Sequence, residues 1–203
     1  MMAVLAPDLH PRPIESLEEL QIGVTGTERA DPLVRSRVED AAALFPRRRR
    51  AEFPLADGIN RAFRWEVAET HRDLFRESRD LYGPNLRRKI EICLRVTDDE
   101  HEAAERERAV YRERAEEALD GVDLLVTPTL AFVAPPAASN ELTIRERVIQ
   151  FTFPFNALGW PALALPCGLA EAGLPASLQI VGRPGDDALV LAAGAVVESL
   201  LRA

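Results

Sequence analysis

Lysine is nearly absent: Lys89 is the only one in 203 residues, and every other basic side chain is an arginine. A mechanism that needs an amine as base or nucleophile therefore has one candidate. Cysteine is as scarce, with Cys93 and Cys167 far apart. Two thiols make no disulfide framework, which points to a reducing, cytoplasmic setting. No apolar run approaches the ~20 residues that cross a bilayer, so no membrane association is expected. The opening Met-Met-Ala-Val-Leu-Ala-Pro-Asp has neither a basic start nor a long apolar core, and no secretory signal is expected. Positive charge is outweighed, leaving a net −8. That balance argues against a nucleic-acid partner, because phosphate contacts need clustered cations. Histidines are few, and His10, His71 and His101 are scattered. His101 lies between Glu100 and Glu102, but adjacent helix positions point in different directions, so no metal site is expected. A glycine-rich phosphate loop is missing too, and no cofactor is implied.

What remains is an ordinary globular composition, 47% hydrophobic and 29% charged, in a chain long enough to bury a real core. Residues 1–18 are proline-rich and read as an irregular lead-in, and residues 19–203 as one domain portion. Residues 21–24 form a short apolar strand ending at Gly26. Asp31 has the character of an N-cap, with Pro32 at the first helical position. Val34, Val38, Ala41 and Phe45 then follow at spacings of four, three and four, one face of a helix. The basic run Arg47 to Arg50 reads as a solvated turn leading into a second strand over residues 51–55. Strand, helix and strand make a parallel crossover.

The middle is helical. Helices are expected over residues 57–79, 86–94 and 98–119, the first two divided by a Tyr82-Gly83-Pro84 turn. The last third alternates again, with strands at 123–127, 162–165 and 177–181 and a helix at 141–151. Asp186 opens a closing helix whose face is Leu189, Ala193, Val196 and Leu200. The expected fold class is α/β, a mixed sheet flanked by helices. The strands at 162–165 and 177–181 carry so little charge that both read as interior.

Three stretches stand out in that last third. They are Asp123-Leu-Leu-Val-Thr-Pro-Thr129, then Phe151-Thr-Phe-Pro-Phe-Asn156 running on through Gly159 to Gly168, then Gly173 to Pro184 with its Gln-Ile-Val-Gly-Arg-Pro ending. In order and spacing they resemble the C-terminal part of the amidase signature family of serine hydrolases. Ile22-Gly-Val24, Asp31-Pro-Leu-Val34 and the Tyr82-Gly to Ile90 stretch are similar to the same family, so the resemblance covers about residues 17–202. It implies hydrolysis of an amide C–N bond. It also implies a substrate pocket to which Arg87, Arg88, Phe155, Asn156 and Cys167 would contribute, with Arg87 or Arg88 meeting a substrate carboxylate.

The family's chemistry needs a nucleophilic serine in a Gly-Gly-Ser-Ser-Gly-Gly-type loop, a second serine and a lysine. Ser16, Ser36, Ser78, Ser139, Ser177 and Ser199 are all isolated from one another and from any such loop, and Lys89 sits on a helix among arginines. No catalytic residue is therefore assigned. Cys167 has no histidine near it in sequence and reads as a buried small residue rather than a nucleophile. In the branch that amidates tRNA-linked glutamate, a carboxylate is expected a few positions before the Thr-x-Pro-x-Asn segment. Here that stretch reads Arg147-Val-Ile-Gln-Phe151, which favours a general amidase. The expectation is a C-terminal amidase portion, inactive alone, that takes a small amide substrate only when completed by an upstream half. It would tend to self-associate. The alternatives are a non-catalytic scaffold or regulatory subunit, or part of an amidotransferase A subunit.

Overall fold

The computed structural model describes residues 14–56 and 58–202. The strands are β1 (Gln21–Val24), β2 (Arg47–Arg50), β3 (Leu124–Pro128), β4 (Ala162–Leu169) and β5 (Pro175–Val181). The helices are α1 (Pro32–Ala42), α2 (Asn60–Ser78), α3 (Pro84–Cys93), α4 (Asp98–Glu117), α5 (Glu141–Ile149), α6 (Phe153–Leu158) and α7 (Asp187–Arg202). Two compact units result. One is built from the chain up to Phe53 and from Ala115 onward, the other from Pro54–Arg114.

The first unit holds a mixed five-stranded sheet in the order β2-β1-β3-β5-β4. β1 runs parallel to both β2 and β3, while β5 is antiparallel to β3 and to β4. The α/β expectation holds, and the three late strands share one sheet. Strand alternation gives each face its own residues. Ile22, Leu124, Val126, Leu178, Ile180 and Leu165 point to one face, where they join Val34 and Val38 of α1 and Val190, Ala193 and Val197 of α7 in a single buried cluster. Full burial of such side chains contributes roughly 1.5–3 kcal/mol each, so this layer supplies the unit's main driving force. Pro32 occupies the first turn of α1 as expected. Asp31, however, makes no side-chain cap bond; its carboxylate instead accepts from the Arg147 guanidinium at 2.6 Å.

One expectation fails here. The arginine run is itself the second strand, with Gln21 opposite Arg47 and Val24 opposite Arg50, whereas residues 51–55 are not a strand. Phe45, fully buried at the end of the α1 connection, brings the chain to the sheet two residues later. An edge ladder is made by backbone groups, so four exposed arginine side chains do not prevent it. β4 has the low charge expected of a strand that an upstream half would cover. In the sheet it is an edge strand, bonded to β5 alone among the described residues. Its inward residues are apolar because α7 packs on them: a side chain at Gly194 would meet Leu163.

The Pro54–Arg114 unit is helical. Ala62, Ala68, Phe75, Ile90, Cys93 and Ala104 are buried in it, and Tyr82 packs edge-on to Phe75 at 5.2 Å. Trp65 stacks on His101 with ring centroids 4.0 Å apart and donates to Asp98 at 3.3 Å. Among the described residues, no helix is long and apolar enough to cross a membrane.

Candidate functional site

The sheet face opposite α1 and α7 is where polar chemistry gathers. Thr127 and Gln179 face each other across the β3–β5 register and are both buried, 2% and 5% exposed. Gln179 Nε2 donates to Thr127 Oγ1 at 3.2 Å and to the Phe151 carbonyl at 2.8 Å. The amide thus ties the 151–160 segment to the sheet. Phe151 fixes the other end of that contact. Gly26 adopts φ +76°, and a Cβ there would sit 2.7 Å from the Phe151 ring, so only glycine fits. The Arg29 guanidinium lies over the same ring, 4.8 Å from its centroid.

Beyond Phe151 the chain turns into the short helix α6, with Pro154 in its first turn and Gly159 closing it in the left-handed region. Trp160 N–H returns to the Phe155 carbonyl at 3.0 Å. Phe155 and Trp160 then form an aromatic cluster with Phe53, at centroid distances of 5.2 Å for Phe53–Phe155 and 5.9 Å for Phe53–Trp160. Trp160 Nε1 and Thr129 Oγ1 are buried without a hydrogen-bond partner among the described residues. An unpaired buried indole N–H or hydroxyl costs free energy, which marks this wall as a place where a polar group could be received.

Phe155 and Asn156 therefore lie together on α6, Phe155 buried and Asn156 exposed. Cys167 does not join them. It faces the α1–α7 side, buried in the cluster there. Burial pushes its thiol from 9.0 up to about 11, against the opposing pull of the Leu178 backbone bond and the nearby Arg37 charge. A thiol held neutral in this way is no nucleophile at physiological pH. Arg87 and Arg88 belong to the other unit. The Arg87 guanidinium donates to the Tyr82 carbonyl at 3.3 Å and lies 3.8 Å from Asp80, while its Nε is buried without a partner. Arg88 is exposed; with Arg79, Arg95 and Glu91 both residues line a surface groove. Among the described residues no group of three His, Cys, Asp or Glu side chains is placed to hold a metal ion.

Gln179 and Thr127 were not singled out from sequence. The signal was a lone amide inside the apolar run Leu-Gln-Ile-Val of β5. A buried amide must find partners, and here they tie the 151–160 segment in place. Arg183 stands in the same motif, with no role of its own assigned from sequence. Its guanidinium donates to the Val122 carbonyl at 2.9 Å and the Leu119 carbonyl at 2.6 Å, closing the turn that follows α4. Gly182 beside it is packed so closely that a Cβ would come within 2.8 Å of Asp186 and 2.9 Å of Val190.

The Amidase family profile matches residues 30–191 of this chain. Over 155 residues it is 33% identical to the A subunit of the glutamyl-tRNA(Gln) amidotransferase of Chloroflexus aurantiacus, covering 71% of this chain and 31% of that protein. The corresponding subunit of Myxococcus xanthus is 28% identical over 195 residues, covering 91% of this chain and 40% of that one. A solved structure described as a crystal structure of amidase superposes with a TM-score of 0.82 at 29% identity, covering 98% of this chain and 49% of that chain. The chain thus spans well under half the length of these curated relatives and about half of the solved amidase.

Proposed function

Because the chain belongs to the amidase family, we propose that it is the C-terminal portion of an amide-hydrolysing domain, supplying sheet and pocket wall while the nucleophile comes from the portion it lacks. The observation that carries this reading is the superposition of nearly the whole chain on about half of an amidase. The chemistry of the residues agrees. No serine lies beside another serine or in a glycine-rich loop, and Lys89 sits on α3. The 151–160 segment offers what a bound amide needs from a wall: aromatic surface from Phe155, and the side-chain amide of Asn156 as donor and acceptor.

A second reading, part of an amidotransferase A subunit, is favoured by the names of the curated relatives. Against it stands the stretch 147–151. Where that branch's substrate would call for a carboxylate, a few positions before Thr152, this stretch has none, and its Arg147 is paired with Asp31 and stacked over Phe132 at 4.6 Å. The general amidase reading is therefore preferred.

The test is hydrolysis of simple aliphatic and aryl amides by the purified chain. Loss of a whole nucleophilic unit removes many orders of magnitude of rate, so turnover at background is expected. Added to a separately expressed N-terminal portion of a related amidase, the chain should restore turnover sensitive to a serine-reactive inhibitor. Turnover by the chain alone would refute the reading.

A further inference from the structure

β2 is an edge of the sheet, bonded to β1 alone among the described residues. Ala51 N–H donates to the Val24 carbonyl at 2.9 Å, so Ala51 turns its backbone toward β1. Alternate residues of a parallel ladder do the same. Arg49 and Arg47 therefore face β1, and the N–H and C=O groups of Arg48 and Arg50 point outward. Side chains alternate between the two faces of the sheet. Arg48 and Arg50 stand opposite Ile22 and Val24 on the α1 face, Arg47 and Arg49 on the other, and all four are exposed. Little compensates their charge. Arg50 lies 3.7 Å from Glu28, and among the described residues it alone of the four is ion-paired. Arg48 and Arg49 turn instead to the main-chain carbonyls of Phe45 and Asp120. On the α1 face a groove of about 420 Å³, lined also by Arg35, Val24 and Ala42, leaves room beside the edge for incoming side chains.

We propose that this edge binds an extended acidic segment of a partner protein, which adds a strand along Arg47–Arg50 and sets its carboxylates against the guanidiniums. Like charges at four successive positions repel one another, and an edge so charged turns away neutral and basic strands. A strand of opposite sign is the exception, because directly opposed unlike charges stabilise a pair. The outward backbone groups of Arg48 and Arg50 decide the class of partner. Their N–H groups need acceptors and their carbonyls need donors. A peptide main chain supplies both, whereas a polyphosphate or nucleic acid only accepts. Glu28 and Glu39 line the same groove and would repel a long polyanion. The main-chain ladder gives affinity, and the arginines select the acidic sequence. The proposal stands on the sheet edge and is independent of the amidase reading.

The experiment titrates the full chain with a capped decapeptide in which glutamate alternates with threonine, and with its glutamine–threonine counterpart. Affinity is measured by calorimetry and amide exchange by NMR. The acidic peptide should bind at least tenfold more tightly than the neutral one, and binding should weaken severalfold as salt is raised. The amides of Arg48 and Arg50 should gain protection on binding, while those of Arg47 and Arg49, already turned to β1, should not. Arg48→Glu and Arg50→Glu should each weaken binding at least tenfold with an unchanged circular dichroism spectrum. Should either lose structure, Arg48→Ala and Arg50→Ala take their place, with a loss of at least threefold expected. Equal binding of the two peptides, protection elsewhere than at Arg48 and Arg50, or no binding at millimolar peptide overturns the proposal. So does an oligothymidylate of matching charge that binds as tightly as the acidic peptide, since the edge would then be a general polyanion patch. Self-association of the chain that Arg48→Glu abolishes, with no peptide bound, makes a second copy the occupant and overturns it too.

Discussion

Replacing Arg183 with methionine keeps the apolar stem and removes the guanidinium that closes the turn after α4. Two bonds are lost, to the carbonyls of Leu119 at 2.6 Å and Val122 at 2.9 Å. A hydrogen bond to a charged group contributes about 1.5–3 kcal/mol, and partial exposure places these toward the lower end, so the pair amounts to about 3 kcal/mol. The Leu119 carbonyl lies just past the C-terminal end of α4, where the helix dipole is negative, which adds a few tenths more. Arg183→Lys retains charge but not the fork, and a single ammonium reaches one carbonyl, so about half the loss should be recovered. Urea unfolding followed by far-UV circular dichroism measures both, with the midpoint moving and the slope unchanged. In a chain of this size about 3 kcal/mol corresponds to roughly 6–12 °C in Tm. A methionine variant within about 0.5 kcal/mol of wild type would refute the reasoning, because that is the spread of an ordinary surface substitution.

Gln179→Leu should cost about 1–3 kcal/mol, since the buried Phe151 carbonyl loses its donor, and it should shift the Trp160 fluorescence as the 151–160 segment loosens; an unchanged spectrum and stability would count against the tie. Cys167 should resist thiol reagents at pH 7.5 in the folded chain and react on unfolding. Its pKa also predicts a stability profile: between 9.0 and about 11 the unfolded chain gives up this proton and the folded chain retains it, so stability present below 9.0 falls through that window. The loss is on the order of 2 kcal/mol at its upper end, and Cys167→Ala should flatten that part of the urea-midpoint profile.

Most of the fold was legible because its signals are local. The 3.6-residue spacing of Val34, Val38 and Ala41 gave the buried face of α1, and Pro32 gave its start. The long charged helix before Asp120-Gly121 is read from composition and a glycine in the left-handed region. The error falls at a sheet edge, where hydrophobic pattern and strand order part company. Arg47 to Arg50 pair through the backbone, which carries no trace in side-chain polarity. β4 looks interior because one face is packed by helices, and a strand covered on one face has the same apolar content as one flanked by neighbours. Asp186 marks the start of α7, yet its carboxylate turns back to accept from the Arg183 backbone N–H at 3.0 Å, beside Gly182, where a Cβ would meet it at 2.8 Å.

The candidate site was less legible, for a reason that bears on how motifs of this kind are used. The Val-Gly-Arg-Pro ending of the last motif is conformational: Gly182 admits α7 close to the sheet, and Arg183 binds the end of α4. Gly159 ends α6 in a left-handed turn, and the Phe151 segment is held by Gln179. A glycine such as Gly159 acts through its own backbone and so leaves its trace at one position, whereas a pocket gathers side chains from remote elements. Phe155 and Cys167 are twelve positions apart and face opposite sides of one sheet. Motif resemblance here reports a fold directly and a pocket only through it. An assignment of binding residues must therefore begin from the face that carries Gln179, Thr127 and Trp160, and exclude Cys167 from it.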